Sequence, residues 1–101
     1  MSDRVTATGS FLGTGAALSV TKLGFRPRSV RLFNVAAGGL CSLYWNKEMP
    51  DASGFKEVNH DTAQRSFITS NGITPLANGF QLGADADLNA AGELVYFEVR
   101  D

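Results

Sequence analysis

The residues of this chain that could do chemistry are few and scattered. Asp85-Ala86-Asp87-Leu88-Asn89 places oxygen atoms at alternate positions, as calcium loops do. A helix-loop-helix calcium loop also needs a glycine at about its sixth position and a glutamate at about its twelfth. Here Gly92 and Glu93 come at the wrong places, so the segment reads as a turn whose short side chains bond local backbone. His60-Asp61 and several serines contain the residue types of a nucleophile triad. No helix is expected that would present a serine on a strand–turn–helix elbow, so His60 reads as a loop histidine. Cys41 alternates with Leu43 and Trp45 and reads as a small buried apolar residue. No cation adjoins it in sequence to activate the thiol. Gly13-Thr14-Gly15 and Gly38-Gly39 are not followed by Lys-Ser/Thr or by a helix, so they serve turns and not a phosphate cradle. The expectation is no catalytic residue, no metal and no cofactor.

One charge feature stands out. Lys22, Arg26, Arg28 and Arg31 fall within ten residues, and no acid occurs between Arg4 and Lys47. The last third runs the other way, with Asp85, Asp87, Glu93, Glu98 and Asp101 against Arg65 and Arg100. Two readings are open. The asymmetry can steer the chain onto a second copy or an oppositely charged partner. It can also be a solvated strand edge guarded by charge against aggregation. On the first reading Arg26, Arg28 and Arg31 are the partner-binding residues. Pro27 stiffens the turn between Arg26 and Arg28 and so presents two cations at little ordering cost.

These groups must be held by strands. Apolar residues do not recur at helical spacing; short alternations bounded by Gly, Asn or Pro recur instead. Val5–Phe11 alternates weakly, and Ala17–Thr21 is a better strand closed by Gly24. In Arg28–Val35, Val30 and Leu32 share a face with Arg28, while Ser29, Arg31 and Phe33 share the other. Ala36–Gly39 is a turn. In Leu40–Trp45, Cys41, Leu43 and Trp45 face one way. Asn46–Asp61 is read as a long loop with a short strand near Phe55–Val58. Arg65–Thr69 alternates, and Asn71-Gly72 predicts a hairpin because both residues tolerate positive φ. Pro75 confines its strand to an edge or an end. Asn78-Gly79 predicts a second tight turn before Phe80–Leu82. In Leu94–Arg100, Val95, Phe97 and Val99 face inward. Turns every 8–12 residues and about seven or eight short strands indicate an all-β fold, a small antiparallel β-sandwich or jelly-roll-like barrel. The expected core is Leu18, Val20, Val30, Leu32, Leu43, Trp45, Phe80, Leu82, Val95, Phe97 and Val99, set between two sheets. At 101 residues the chain is expected to be one domain with a flexible amino-terminal arm over residues 1–13.

Composition removes several function classes. Hydrophobic residues are 44% and charged residues 19%, which is the balance of a folded chain. One cysteine forbids an internal disulfide and any multi-cysteine zinc site. A net charge of -1 argues against nucleic-acid binding through bulk charge. No apolar run is long enough for a membrane helix, so no membrane partner is expected. No apolar segment follows Met1–Arg4 as a secretory signal would require.

The order of short motifs resembles small virion proteins of tailed bacteriophages. Gly24-Phe25-Arg26-Pro27-Arg28-Ser29-Val30-Arg31-Leu32-Phe33-Asn34 looks like their Gly-Phe-x-Pro-x-x-Val turn and strand with a closing Asn. Tyr44-Trp45 then matches the Trp-bearing strand. Gly72-Ile73-Thr74, Gly79-Phe80-Gln81-Leu82-Gly83, the acidic turn Asp85–Asn89, Gly92 and Tyr96-Phe97 follow in the same order. The resemblance covers residues 24–99. It implies a phage structural β-domain without an active site, and it implies that Asp85–Asn89 is a turn of the fold.

The family includes decoration proteins, tail-fibre domains and other small virion parts. This chain carries no repetitive or coiled-coil segment and starts with Met, which fits a free-standing capsid decoration (cement) protein. Its expected partners are the major capsid protein and other copies of itself, on the outer surface of the virion. A tail, tail-fibre or head–tail connector component is the alternative within the class. A carbohydrate-binding β-sandwich module is the alternative outside it, because Tyr44 and Trp45 cannot both point inward.

Overall fold

The computed structural model describes residues 6–36, 40–59 and 64–101. It is all-β. The strands are β1 (Thr6–Leu12), β2 (Leu18–Val20), β3 (Ser29–Asn34), β4 (Cys41–Asn46), β5 (Ser53–Val58), β6 (Gln64–Leu76), β7 (Gly79–Leu82) and β8 (Leu94–Arg100). All pair antiparallel in one sheet of order β1-β8-β3-β4-β5-β6-β7-β2. The expected all-β antiparallel class is observed, built as one curled sheet that encloses its core rather than as two separate sheets.

Side chains alternate across a strand, so each strand with apolar residues at every second position turns one face inward. Val30 lies between Trp45 and Val99 in adjacent strands, and Leu32 lies between Leu43 and Phe97. All six are buried. Phe80 meets the Phe97 ring edge-on at 5.7 Å, and Phe11 stacks on it at 6.4 Å. Nine of the eleven residues expected in the core are buried; Leu18 and Val20 are half-buried and pack against it. Ile73 and Leu88 complete the core and were not foreseen.

β6 is where the sheet bends. Ile68 pairs with Gly54 and Ile73 with Ser53, so residues 69–72 have no counterpart on β5. The first half of β6 therefore continues the β5 ladder, and the second half runs on to pair with β7. An insertion of this kind turns a strand from one direction of a sheet to another. Asn71 takes the positive φ (61°) anticipated for it. The flanking segments do not fold back on each other, so the expected Asn71-Gly72 hairpin is corrected to a bulge within one strand. Gly72 is required by proximity: a Cβ there would run into the Ser53 backbone. The tight turn before β7 forms, one residue earlier than expected, over Ala77-Asn78 between Leu76 and Gly79. Gly79 in turn leaves room for the Val20 carbonyl of β2. Pro75 pairs only with β7, beyond the end of the β5 ladder.

One other reading changes. Of the arm expected over residues 1–13, residues 6–12 are a strand in register with β8 from Thr6↔Arg100 to Leu12↔Leu94. Gly13 then bonds to the Glu93 carbonyl. Residues 1–5, most of the Ala36–Gly39 turn and His60-Asp61 lie outside the described residues.

Candidate partner-binding surface

Arg26 and Arg28 are displayed because the inward positions before β3 are Leu23, Phe25 and Pro27, one residue out of phase with Val30 and Leu32 within it; the expectation that Arg28 shares the Val30 face is corrected by that slip. Leu23 and Phe25 are half-buried against the core and Pro27 is buried, while Lys22, Arg26 and Arg28 point to solvent. Gly24 makes the turn at φ 83°. The segment is pinned at both ends: Leu23 N–H donates to the Asn78 carbonyl at 3.0 Å, and Arg28 N–H to the Arg100 carbonyl at 2.7 Å. The Arg28 carbonyl accepts from Lys47 N–H at 2.8 Å. Two exposed guanidinium groups thus sit on a braced turn at one end of the sheet.

Arg31 is placed elsewhere. It lies on the outer face of β3, between Tyr44 and Glu98 in the neighbouring strands. Its guanidinium sits 5.7 Å from the Tyr44 ring centre, within cation–π range. Ser29, Arg31, Tyr44, Glu98 and Arg100 line a shallow hollow there. The three arginines expected to act together therefore divide into a pair at the sheet end and a single residue on the outer face. None forms an ion pair among the described residues.

The outer face is more apolar than the sequence reading anticipated. Register places Tyr44 beside Phe55 and Phe55 beside Phe67, and it places Phe33 beside Tyr96. Phe67 is 49% and Tyr96 46% exposed, and Leu12, Val35, Leu40 and Leu94 are exposed as well. Exposed apolar area of this kind marks interaction surfaces. Alternation alone put Phe33 and Tyr96 outward. Placing Phe55 and Phe67 on the same face, in a row with Tyr44, requires the β4–β5–β6 register, which short alternations do not specify.

The opposite end of the sheet is tied by polar side chains. Asp85 Oδ1 accepts from the Asp87 and Leu88 N–H groups at 2.9 and 3.0 Å, the local bonding expected of a turn. Lys56 reaches in from β5 and pairs with Asp85 at 2.9 Å and Asp87 at 2.8 Å. An ammonium group thus occupies the acidic turn. Burial pulls the Lys56 pKa down, but its bonds to Asp87 and Asp85 outweigh this and hold it above 10.5.

Asn34 Nδ2 donates to the Asp87 carbonyl at 2.6 Å and to Glu93 at 2.8 Å. Asn89 Nδ2 donates to the Ala16 and Gly83 carbonyls, and its Oδ1 accepts from Thr14 N–H. These two buried asparagines fasten three chain segments. Cys41 is buried as expected, and burial pushes its thiol pKa from 9.0 up to about 12, which leaves it unreactive.

Among the described residues no group of three or more His, Cys, Asp or Glu side chains is placed to hold a metal ion. The chain matches no family model, no curated protein and no solved structure.

Proposed function

We propose that this chain is a structural protein of a tailed-bacteriophage virion, a decoration (cement) protein that binds the outer shell and bridges major capsid protein subunits. The observation that carries the reading is the outer face of the sheet. A braced scaffold leaves Phe33, Phe55, Phe67 and Tyr96 uncovered, beside an arginine-bearing end whose cations the fold itself does not use. Apolar contacts would supply affinity, and Arg26 and Arg28 would act on rate and specificity toward an acidic shell. Many copies, each bridging neighbouring subunits, would oppose internal pressure by avidity. The motif order over residues 24–99 supports the same class, and its asparagines, Asn34 and Asn89, lie at the joints of the fold.

The test is occupancy on undecorated capsids over a salt series, for the native chain and for Arg26→Glu with Arg28→Glu. Native occupancy should fall as salt rises, because exposed charges are screened beyond about 10 Å at 0.1 M. The charge-reversed chain should bind less at low salt. Absence of the native chain from shells under all conditions would overturn the reading, and its recovery on tails would assign it to a tail or connector part.

A second reading has one observation in its favour. The hollow of Arg31, Tyr44 and Glu98 combines an aromatic face with polar groups, as sugar sites do. Retention on a glycan array, lost in Tyr44→Ala, would establish a carbohydrate-binding module instead.

A further inference from the structure

The sheet has two terminal strands, and they are built differently. β2 has three residues and is followed by Lys22; β1 has seven and bears no charge. Among the described residues nothing pairs with the outer edge of β1, and none of its backbone groups bonds outside the β8 ladder. An open edge presents unpaired N–H and C=O groups in a row and is a template for another strand. Natural edges are blunted by brevity, lysine, proline or a bulge. β1, Thr-Ala-Thr-Gly-Ser-Phe-Leu, has none of these: its register with β8 runs without a shift.

We propose that this edge pairs with β1 of a second copy, antiparallel about a two-fold axis at Gly9, so that two sheets join into one. All seven residues then find partners: Thr6 opposite Leu12 of the second copy, Ala7 opposite Phe11, Thr8 opposite Ser10. No charged side chain lies on the strand, so no like charges meet. The charge distribution selects this direction and this occupant. Among the described residues, Lys22, Arg26, Arg28, Lys47 and Arg100 outnumber Glu48, Asp51 and Asp101 at the end where β1 begins; at the end where it finishes, Glu57, Asp85, Asp87 and Glu93 outnumber Lys56 and Arg65, so a negative balance remains after Lys56 is counted. Antiparallel pairing sets the basic end of each copy beside the acidic end of the other. Such an interface is isologous and closes at two copies.

The inference goes beyond the virion reading and is tested on the isolated chain, so either can fail alone. By analytical ultracentrifugation the native chain should sediment at twice the monomer mass. Thr8→Lys with Ser10→Lys sets like charges opposite each other across the axis and should sediment as monomer. Both side chains are exposed, so the unfolding transition should be retained. Mixing that chain with Thr8→Glu plus Ser10→Glu should restore the doubled mass. In the native chain, amide exchange over residues 6–12 should slow as concentration rises. A native monomer at millimolar concentration, a doubly lysine-substituted dimer, or exchange that ignores concentration would overturn the proposal.

Discussion

The two ends of the sheet handle charge in opposite ways. At one, Lys56, Asp85 and Asp87 are drawn together, and two asparagines bond backbone of the surrounding loops. At the other, Arg26 and Arg28 stand in solvent on a turn braced by apolar residues and backbone bonds. The first set is consumed by folding: each group leaves water only because another satisfies it. The second set stays in solvent and makes no ion pair among the described residues. A charged side chain therefore reports on function here only after its partners are known.

The largest effect that would break this contrast is on the buried side. Lys56→Ala leaves Asp85 and Asp87 facing each other without their cation. The loss should be about 3 kcal/mol, the low end for breaking a buried pair, read by urea unfolding. A loss near zero would make the cluster as dispensable as the surface arginines.

Alkaline pH probes the same end through Cys41. Its folded pKa is about 12 against 9.0, so above pH 9 the unfolded thiol ionises while the folded one keeps its proton. The unfolded state then binds fewer protons, and stability falls as pH rises through that window. Lys56 adds to the fall at higher pH, because its contribution is complete below 10.5 and lost through its raised folded value. Between about pH 8 and pH 10.5 the Cys41 contribution should approach about 2 kcal/mol. Cys41→Ala should remove that part of the decline. Equal declines in the two chains would show that the thiol is not held neutral.

The smallest effect is expected at the arginines. Arg26→Glu with Arg28→Glu should change unfolding stability by no more than about 0.5 kcal/mol. A larger loss would show that the pair belongs to the fold and would return the basic segment to the reading of a guarded edge.

Much of the molecule was legible in its residues. Period-two alternation located β3, β4 and β8 and assigned their faces, because a side chain's direction along a strand is a local property. It set Arg28 on the face of Val30 and Leu32, however, and there a shift of phase before β3 turns the side chain outward instead. The acidic segment was read as a turn whose short side chains bond local backbone, and Asp85 does so. What the residues did not disclose depends on pairing between distant segments. Asn71-Gly72 has the chemistry of a hairpin, yet β5 and β7 hold its two flanks in one strand with a bulge between them. The weak alternation before Phe11 looked like the start of an arm, yet its backbone completes a ladder with the far end of the chain. Leu88, alone among polar neighbours, carries no periodic signal and is buried only because the loop folds over the sheet.

The sequence by itself determined that this is a β protein, which faces of its main strands are apolar, and that its bases cluster before β3. Those are matters of local geometry and composition. Tertiary structure decided that Lys56 neutralises Asp85 across 29 positions of sequence. It decided that Arg31 lies apart from Arg26 and Arg28, that four aromatic side chains share an exposed face, and that β1 is an edge. Each of these is set by register and strand order, which no short stretch of residues contains. They emerge only when the whole sheet competes for its pairings.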